Sequence, residues 1–242
     1  MSKLRMDKFL SSQLNLSRAD AKRLLREGRV TLNGQPVKKG EQQLDPEQDA
    51  VCLDGERIGY AAHLYLMLHK PQGVVSSTDS PGDVTVVDLV PEPMRRPGLF
   101  PAGRLDKDTT GFVLLTDDGA FAHEILAPGR HVPKTYHVTL TRRVTRDEQR
   151  EIEAGLDLPD VRLKPAALRF LHDAPDDGLP VYEIVLTQGI YHQIKRMFLH
   201  FGNPVVRLHR VSIGALTLDP ALAPGDCRLL SDAELQKLRS KN

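Results

Sequence analysis

Residues 103–116 read GRLDKDTTGFVLLT, a polar loop that leads directly into an apolar strand. A glycine lies at each end of the loop, and the predicted strand Phe112–Thr116 follows without a break. Loops that are positioned by a rigid strand are a usual place for functional side chains. From the residues alone, Asp106 or Asp108 could instead bond to nearby backbone amides in an Asx-turn. The pattern therefore does not choose between the two aspartates, or between a catalytic and a structural role.

The chain after about residue 61 combines short apolar strands with short helices. Several predicted strands follow one another without a helix between them, which favours an α+β fold with a mixed, largely antiparallel sheet over a doubly wound one. Asp173–Gly178 is predicted to be an exposed loop. The predicted strands are Leu64–Leu68, Phe112–Thr116, Lys134–Leu140, Val181–Thr187 and Val205–Ser212. The predicted helices are Ala120–Leu126, Arg146–Ala154, Tyr191–Phe201 and Asp232–Arg239.

The start of the chain predicts a compact helix and hairpin. Ser17, with an acidic residue three positions later, is a capping-box-like helix start. The helix is predicted over Arg18–Glu27 and ends at Gly28, because glycine is the usual residue of a left-handed C-terminal cap. Asn33-Gly34 is a strong signal for a two-residue hairpin.

Positive charge is concentrated near the start of the chain. Residues 1–40 contain ten Lys or Arg against three Asp or Glu, and residues 187–218 contain four Lys or Arg and no acid. At 100° per residue, one face of the first predicted helix is basic and the other is apolar. Such patches in a chain of net charge +1 indicate a polyanionic partner, and an ordinary solvated helix face is the alternative. The predicted RNA-contacting residues of this face are Arg18, Lys22, Arg26 and Arg29.

Several classes of protein lack support in the sequence. There is no glycine-rich phosphate loop, no dinucleotide fingerprint and no zinc-deaminase motif. The nine His residues show no metal-ligand spacing, and Cys52 and Cys227 lie far apart. We therefore predict no metal and no cofactor. No apolar run approaches the roughly 20 residues that cross a bilayer, and the N-terminus lacks a signal pattern, so a cytoplasmic protein without a membrane partner is predicted.

The first 55 to 60 residues resemble the RNA-binding domain first defined in ribosomal protein S-four. The similarity is carried by residues 4–10 (LRMDKFL), by Ser17-Arg18 with Ala21, and by residues 28–34 (GRVTLNG). Several RNA enzymes share this module, so the resemblance implies an RNA partner without implying a reaction. We predict an RNA-binding domain over residues 1–60 and a catalytic domain over residues 61–242.

The catalytic domain resembles the pseudouridine synthases in three ordered motifs. Residues 103–111 match the family hallmark Gly-Arg-Leu-Asp-x-x-Thr-x-Gly, which implies that Asp106 is the catalytic carboxylate. Residues 134–136 (KTY) resemble the second motif, so Tyr136 is expected to pack against the target base. Residues 192–197 (HQIKRM) resemble the third, whose basic residue pairs with the aspartate. We expect Lys195 in that role, with Arg196 as its competitor; Arg104 and Arg196 are the expected substrate contacts in this domain.

Within the family, the small N-terminal domain ahead of the catalytic domain resembles the RsuA/RluB/RluE/RluF group. Residues 70–73 (KPQG), 77–81 (STDSP) and 116–119 (TDDG) most closely resemble its branch that modifies small-subunit (16S) ribosomal RNA. We expect a monomeric enzyme that acts on ribosomal RNA in a partly assembled small subunit, with naked RNA as the alternative substrate. The same reaction on large-subunit (23S) ribosomal RNA is the first alternative. A non-catalytic RNA-binding protein of ribosome assembly is a second. A nucleoside-bond hydrolase is a third, although hydrolysis normally needs a second working carboxylate.

Overall fold

The structure is a computed structural model that describes residues 3–127, 129–130 and 132–240. The chain divides into two compact units. The first comprises the residues up to Leu64 together with Val90–Leu99, and the second comprises Tyr65–Leu89 and the chain from Phe100 onward. No helix within the described ranges is long and apolar enough to cross a membrane.

The first unit packs two helices against short strands. Its apolar core is formed by one face of each helix and by strand residues, with Phe9, Leu25 and Val30 almost fully buried. The helices are α1 (Met6–Leu14) and α2 (Arg18–Arg26). The strands are β1 (Leu4–Arg5), β2 (Val30–Leu32), β3 (Gln35–Pro36), β4 (Gln43–Leu44), β5 (Val51–Leu53) and β6 (Glu56–Arg57).

The predicted helix and hairpin of this unit are confirmed. The Ser17 hydroxyl accepts the Asp20 backbone N–H at 3.1 Å and so caps the start of α2. Asn33 and Gly34 both have positive φ, at 50° and 81°, as a type I′ hairpin turn requires. Helix α1 was not predicted, because no capping side chain marks its start at Arg5.

The placement of Arg29 on the basic helix face was wrong. Helix α2 ends at Arg26, and Gly28 then turns the chain with a φ of 73°, so Arg29 lies outside the helical arc. Its guanidinium instead donates to Asp54, with Nε 3.0 Å from Oδ1. Arg18, Lys22 and Arg26 do lie on the exposed side of α2, while Ala21, Leu24 and Leu25 are buried.

Val90–Leu99 is a segment of the later sequence that lies in the first unit. A short 3-10 helix, Glu92–Met94, forms its centre. The Arg96 guanidinium donates to the Gln13 side-chain oxygen at 2.7 Å and to the Ala61 carbonyl at 2.9 Å. The domain boundary between residues 60 and 61 stays a prediction. The contacts of Arg96 show that residues 90–99 also belong to the first unit.

The second unit is built on one mixed sheet flanked by helices. Its strands are β7 (Tyr65–Lys70), β8 (Phe100–Ala102), β9 (Thr110–Thr116), β10 (Lys134–Leu140), β13 (Ala167–Asp173), β14 (Pro180–Leu186), β15 (Val205–Ile213), β16 (Leu216–Thr217) and β17 (Cys227–Leu229). They run in the order β13-β14-β10-β15-β9-β7-β17, with β16 on β15 and β8 on β9. In this sheet β9 and β15 run parallel and the other paired strands are antiparallel, so the predicted α+β fold with a largely antiparallel sheet is confirmed. A separate hairpin pairs β11 (Asp157–Leu158) with β12 (Val161–Arg162), and the helices are α3 (Gly119–Leu126), α4 (Arg146–Ala154), α5 (Gln193–His200) and α6 (Asp232–Arg239).

Most predicted elements of the second unit agree with the structure to within two residues. Strand β10 and helices α4 and α6 have the predicted bounds. Helix α5 begins at Gln193, two residues later than predicted, because His192 has a left-handed backbone. Strand β13 was not predicted: it is an edge strand, and most of its side chains are exposed, so it lacks the apolar alternation of a half-buried strand.

At Gly111, where β9 runs beside β15, there is no room for a Cβ atom. Its φ is 107°, and a Cβ added there would lie 2.3 Å from the Arg210 carbonyl oxygen. We predict that Gly111→Ala lowers the free energy of unfolding by about 3 kcal/mol or more, through strain and the clash together. Gly119→Ala is the control, because Gly119 begins a helix and has no atom within 4 Å of the added Cβ. Urea unfolding of both variants checks this, and equal stability of the two would contradict it.

Candidate active site

The loop before β9 brings Asp106 to the basic residue of helix α5. Lys195 Nζ lies 2.9 Å from Asp106 Oδ2 and 2.6 Å from Asp108 Oδ1. The turn itself is closed by the backbone, where the Thr109 N–H donates to the Asp106 carbonyl at 3.1 Å. The two carboxylates therefore reach out of the loop toward one ammonium. Of the two basic candidates on α5, Lys195 is the one that contacts Asp106.

His192 approaches Asp106 from the start of the same helix. Its Nε2 lies 3.4 Å from Asp106 Oδ1, so both oxygens of this carboxylate face basic side chains. His192 has a φ of 51°, which is uncommon for a residue other than glycine and is typical of constrained functional sites. The exposed ring of Tyr191 stacks on its imidazole with the ring centroids 3.8 Å apart.

A buried lysine fixes the back of the Asp106 loop. Lys70 ends β7, is fully buried, and donates to the carbonyls of Thr109 at 2.7 Å, Pro71 at 3.1 Å and Lys107 at 3.3 Å. The Ser76 hydroxyl also accepts the Leu105 N–H at 3.0 Å. The loop conformation is therefore determined by side chains on the segment after β7 as well as by its own sequence.

The charges of the site depend on these contacts. The hydrogen bond from Lys195 lowers the pKa of the Asp108 carboxyl, against the opposing effect of partial burial. Burial lowers the pKa of Lys195, but its hydrogen bonds with Asp108 and Asp106 outweigh burial, so the net pKa lies above its ordinary value. Lys195 is therefore an ammonium throughout the neutral range, which favours an ionised carboxylate beside it.

Asp106 lies in a cleft that also contains Tyr136. The cleft is lined by the Asp106 loop, by Tyr136 and Leu208 on neighbouring strands, and by residues 188–190 and 192–195. Arg104 is exposed and belongs to the same lining. The predicted site residues Asp106, Tyr136, Lys195 and Arg104 thus come together. Among the described residues, no group of three His, Cys, Asp or Glu side chains could hold a metal ion.

The predicted basic patch over residues 187–218 was wrong as a single surface. Arg196 binds Asp160 and is not among the residues that line the cleft, and Arg207 Nη1 lies 2.6 Å from Asp177 Oδ2. Arg210 is 3% exposed, and its Nε donates to the Phe112 carbonyl at 2.7 Å. Two of these arginines thus pair with carboxylates distant in sequence and the third is buried. Lys195 is the one Lys or Arg of this stretch that pairs with Asp106.

Sequence reasoning missed Lys70 and His192 as members of the site. Both lie in stretches that carry the family resemblance, in KPQG at residues 70–73 and HQIKRM at residues 192–197. A lysine that ends an apolar strand gives no signal that it is buried. The position of His192 one residue before α5 became visible only once the helix start was known.

Comparisons with known proteins agree with this geometry. Residues 64–200 match the family model described as RNA pseudouridylate synthase, and residues 4–51 match the S4 domain. The chain belongs to the RNA pseudouridylate synthase family. Its fold is also similar to a crystal structure of a pseudouridylate synthase, with a TM-score of 0.65 and 39% identity, covering 97% of this chain and 99% of that one.

Two relatives in this family match almost the whole chain. An uncharacterized RNA pseudouridine synthase YtzG of Bacillus subtilis is 44% identical over 237 residues, 97% of this chain and 98% of the relative. The ribosomal small subunit pseudouridine synthase A of Salmonella typhimurium is 44% identical over 236 residues, 96% and 98% of the two chains. The predicted family, the N-terminal S4 domain and the isomerase class are confirmed, and the roles of individual residues stay predictions.

Because the Lys70 ammonium is buried, we predict that the stability of the folded chain depends on pH. Burial lowers its pKa from 10.5 to about 8. The unfolded chain therefore binds more protons than the folded chain between about pH 8 and 10.5, so the free energy of unfolding rises with pH in this window. The gain in the free energy of unfolding is complete above the unfolded pKa of 10.5. It is lost as the pH falls through the folded pKa of about 8.

Lys70→Met should remove that rise. Urea unfolding at about pH 8 and about pH 10 should show that the wild type gains stability relative to the variant. Lys134, whose pKa burial also lowers to about 8, is retained in both proteins and cancels in the comparison. Parallel pH dependences of the two proteins would show that Lys70 does not titrate in this range.

Proposed function

We propose that this chain isomerises a uridine of small-subunit ribosomal RNA to pseudouridine, with Asp106 as the catalytic carboxylate. The observation that carries the proposal is the ion pair between Asp106 and Lys195 in a cleft that also contains the Tyr136 ring. Arg104, on the same cleft, is a proposed substrate contact.

The reaction needs the chemistry that this cleft can supply. The bond from ribose to the uracil nitrogen breaks, the uracil turns, and a bond forms from ribose to carbon five. Carbon five then loses its proton, and the freed ring nitrogen gains one. Atoms and oxidation state balance within the nucleotide, so the proposal requires no metal or cofactor. A carboxylate suits a sugar centre that loses its base, because it can attack the sugar or take a proton from it. The base must leave its stack, and an aromatic ring such as Tyr136 can hold it.

The choice of substrate rests on the relatives and on the first unit. A relative at 44% identity is a ribosomal small subunit pseudouridine synthase, and the S4 domain carries an exposed basic face on α2. We extend the substrate to ribosomal RNA within a partly assembled small subunit, bound by a monomeric enzyme. Light scattering of the free enzyme and comparison of naked RNA with assembly intermediates test these two points.

Replacement of the two loop aspartates tests the catalytic role. Asp106→Asn should abolish pseudouridine formation with RNA affinity nearly unchanged, because the charge is lost while the shape is kept. Asp108→Asn is the matched control: it removes the other carboxylate that binds Lys195 and should retain activity within about tenfold, roughly 1.4 kcal/mol. The measurement is carbodiimide modification and primer extension on small- and large-subunit ribosomal RNA, free and in assembly intermediates.

The outcomes of this mapping separate the alternatives. A new stop in small-subunit RNA that is absent with Asp106→Asn supports the proposal. A stop only in large-subunit RNA would keep the chemistry and replace the substrate. Release of free uracil would indicate a hydrolase. Tight RNA binding without any stop would favour a non-catalytic ribosome-assembly protein.

Charge reversal on α2 tests the RNA-binding face. In Lys22→Glu/Arg26→Glu, the salt dependence of RNA binding should become shallower by roughly 0.7 to 0.9 for each phosphate that the protein no longer neutralises. The measurement is RNA affinity over a series of salt concentrations. Arg150→Glu/Arg162→Glu in the second unit is the matched control, because both arginines are exposed and are already paired with Asp147 and Asp157. Equal salt slopes for the two double variants would remove this face from RNA binding.

A further inference from the structure

The catalytic cleft contains buried polar atoms that have no partner in the protein. In the described residues, buried side-chain atoms without a hydrogen bond are Thr109 Oγ1, Gln193 Nε2 and Arg210 Nη2. The first two belong to residues that line the cleft around Asp106. Because folded proteins satisfy nearly all buried polar groups, each exception calls for an explanation, and a ligand-binding role is one.

The orientation of the Gln193 amide is determined by the backbone. Gln193 is 5% exposed, and its side-chain oxygen accepts the Ile190 N–H at 3.2 Å. The reverse orientation would place the amide nitrogen against that N–H, donor against donor. The side-chain nitrogen is therefore the end that remains unpaired. A purely structural role would need only the side-chain oxygen of Gln193. It gives no reason for the unpaired side-chain nitrogen to be buried beside the cleft.

Gln193 also has the right neighbours to contact a nucleotide. It follows His192, which lies 3.4 Å from Asp106, and precedes Lys195 on the same helix. A base held against Tyr136 with its ribose at Asp106 lies in the cleft that Gln193 and Thr109 line. Thr109 is 1% exposed and belongs to the Asp106 loop itself.

We propose that Gln193 is a specificity-determining residue that reads the uracil, its side-chain amide donating a hydrogen bond to a carbonyl oxygen of the base. The hydroxyl of Thr109 makes a second polar contact with the same nucleotide. This inference rests on the proposed function, because it assumes that the target uridine binds beside Asp106 and Tyr136. Uracil offers two carbonyl oxygens, and a site with a buried donor discriminates against a base that presents an amino group at that position.

The proposal can be tested by a double-mutant cycle in which one change is a protein variant and the other replaces one oxygen atom of the substrate base. RNA is prepared with uridine, 2-thiouridine or 4-thiouridine at the target position, and kcat/KM is measured for wild type and Gln193→Met. Sulfur is a weak hydrogen-bond acceptor, so each analogue removes one candidate partner. With uridine we expect Gln193→Met to lose roughly tenfold to a hundredfold in kcat/KM, as expected for a buried hydrogen bond. With one thio-analogue, and not with the other, this loss should shrink to less than about threefold, which also identifies the carbonyl.

Two further variants, Gln193→Glu and Gln149→Met, test whether the loss in kcat/KM is a purely structural effect. The glutamate keeps an oxygen for the Ile190 N–H and replaces the donor by a second oxygen, although it also adds a negative charge. It serves if the methionine variant does not fold, because only the dependence of its loss on the thio-position is compared. Gln149 lies on α4 outside the cleft, and its side chain donates to the Leu168 carbonyl at 3.2 Å, so Gln149→Met should keep wild-type kcat/KM on each RNA.

The outcomes are distinct. A loss that is equal on all three RNAs, or no loss, overturns the reading of uracil by Gln193 while leaving the proposed function intact. Absence of pseudouridine with the wild type on every RNA overturns the proposed function and this inference together. A loss specific to one thio-position supports the inference.

Discussion

The candidate active site depends on one parallel contact in the middle of an otherwise antiparallel sheet. Strand β9 runs beside β15 with Gly111 opposite Arg210, and this pairing joins the β7 side of the sheet to the β10 side. The Asp106 loop ends where β9 begins, while Tyr136 lies on β10, on the other side of β15. Because parallel neighbours require a long connection, a chain can place these motifs side by side only by returning through several strands and helices.

The site concentrates charge without burying it completely. Lys195 contacts two carboxylates, and the Asp106 and Lys195 side chains are 29% and 25% exposed. Complete burial of such a cluster would cost more in desolvation than the ion pairs return. Partial exposure keeps this cost low and leaves Asp106 open to a substrate. The second carboxylate, on Asp108, shares the Lys195 ammonium with Asp106, so Asp106 is not its sole counter-ion.

Local signals predicted most of the elements and part of the site, but they missed Lys70, His192 and most long-range ion pairs. The family motifs identified Asp106, Tyr136 and Lys195, and the structure brings them to one cleft. Arg207 illustrates the limit, because its pairing with Asp177 depends on how a loop folds back on β15. No periodicity reports such a contact. The same holds for Lys70, whose burial follows from the path of the loop around it and not from its neighbours in sequence.

Within the proposed function, the cleft around Asp106 and the basic residues of α2 have different tasks. The cleft around Asp106 is formed within the second unit and presents one aromatic ring, one ion cluster and few unpaired polar groups. These features suit a single extruded nucleotide, and every uridine presents the same base and sugar to them. A cleft of this kind can distinguish uridine from other nucleotides but cannot choose one uridine among many. The choice must then come from contacts outside the cleft. Phosphate contacts from the exposed basic residues of α2 can fix the position and register of the RNA, but they do not read its sequence, so the folded shape of the RNA must also contribute.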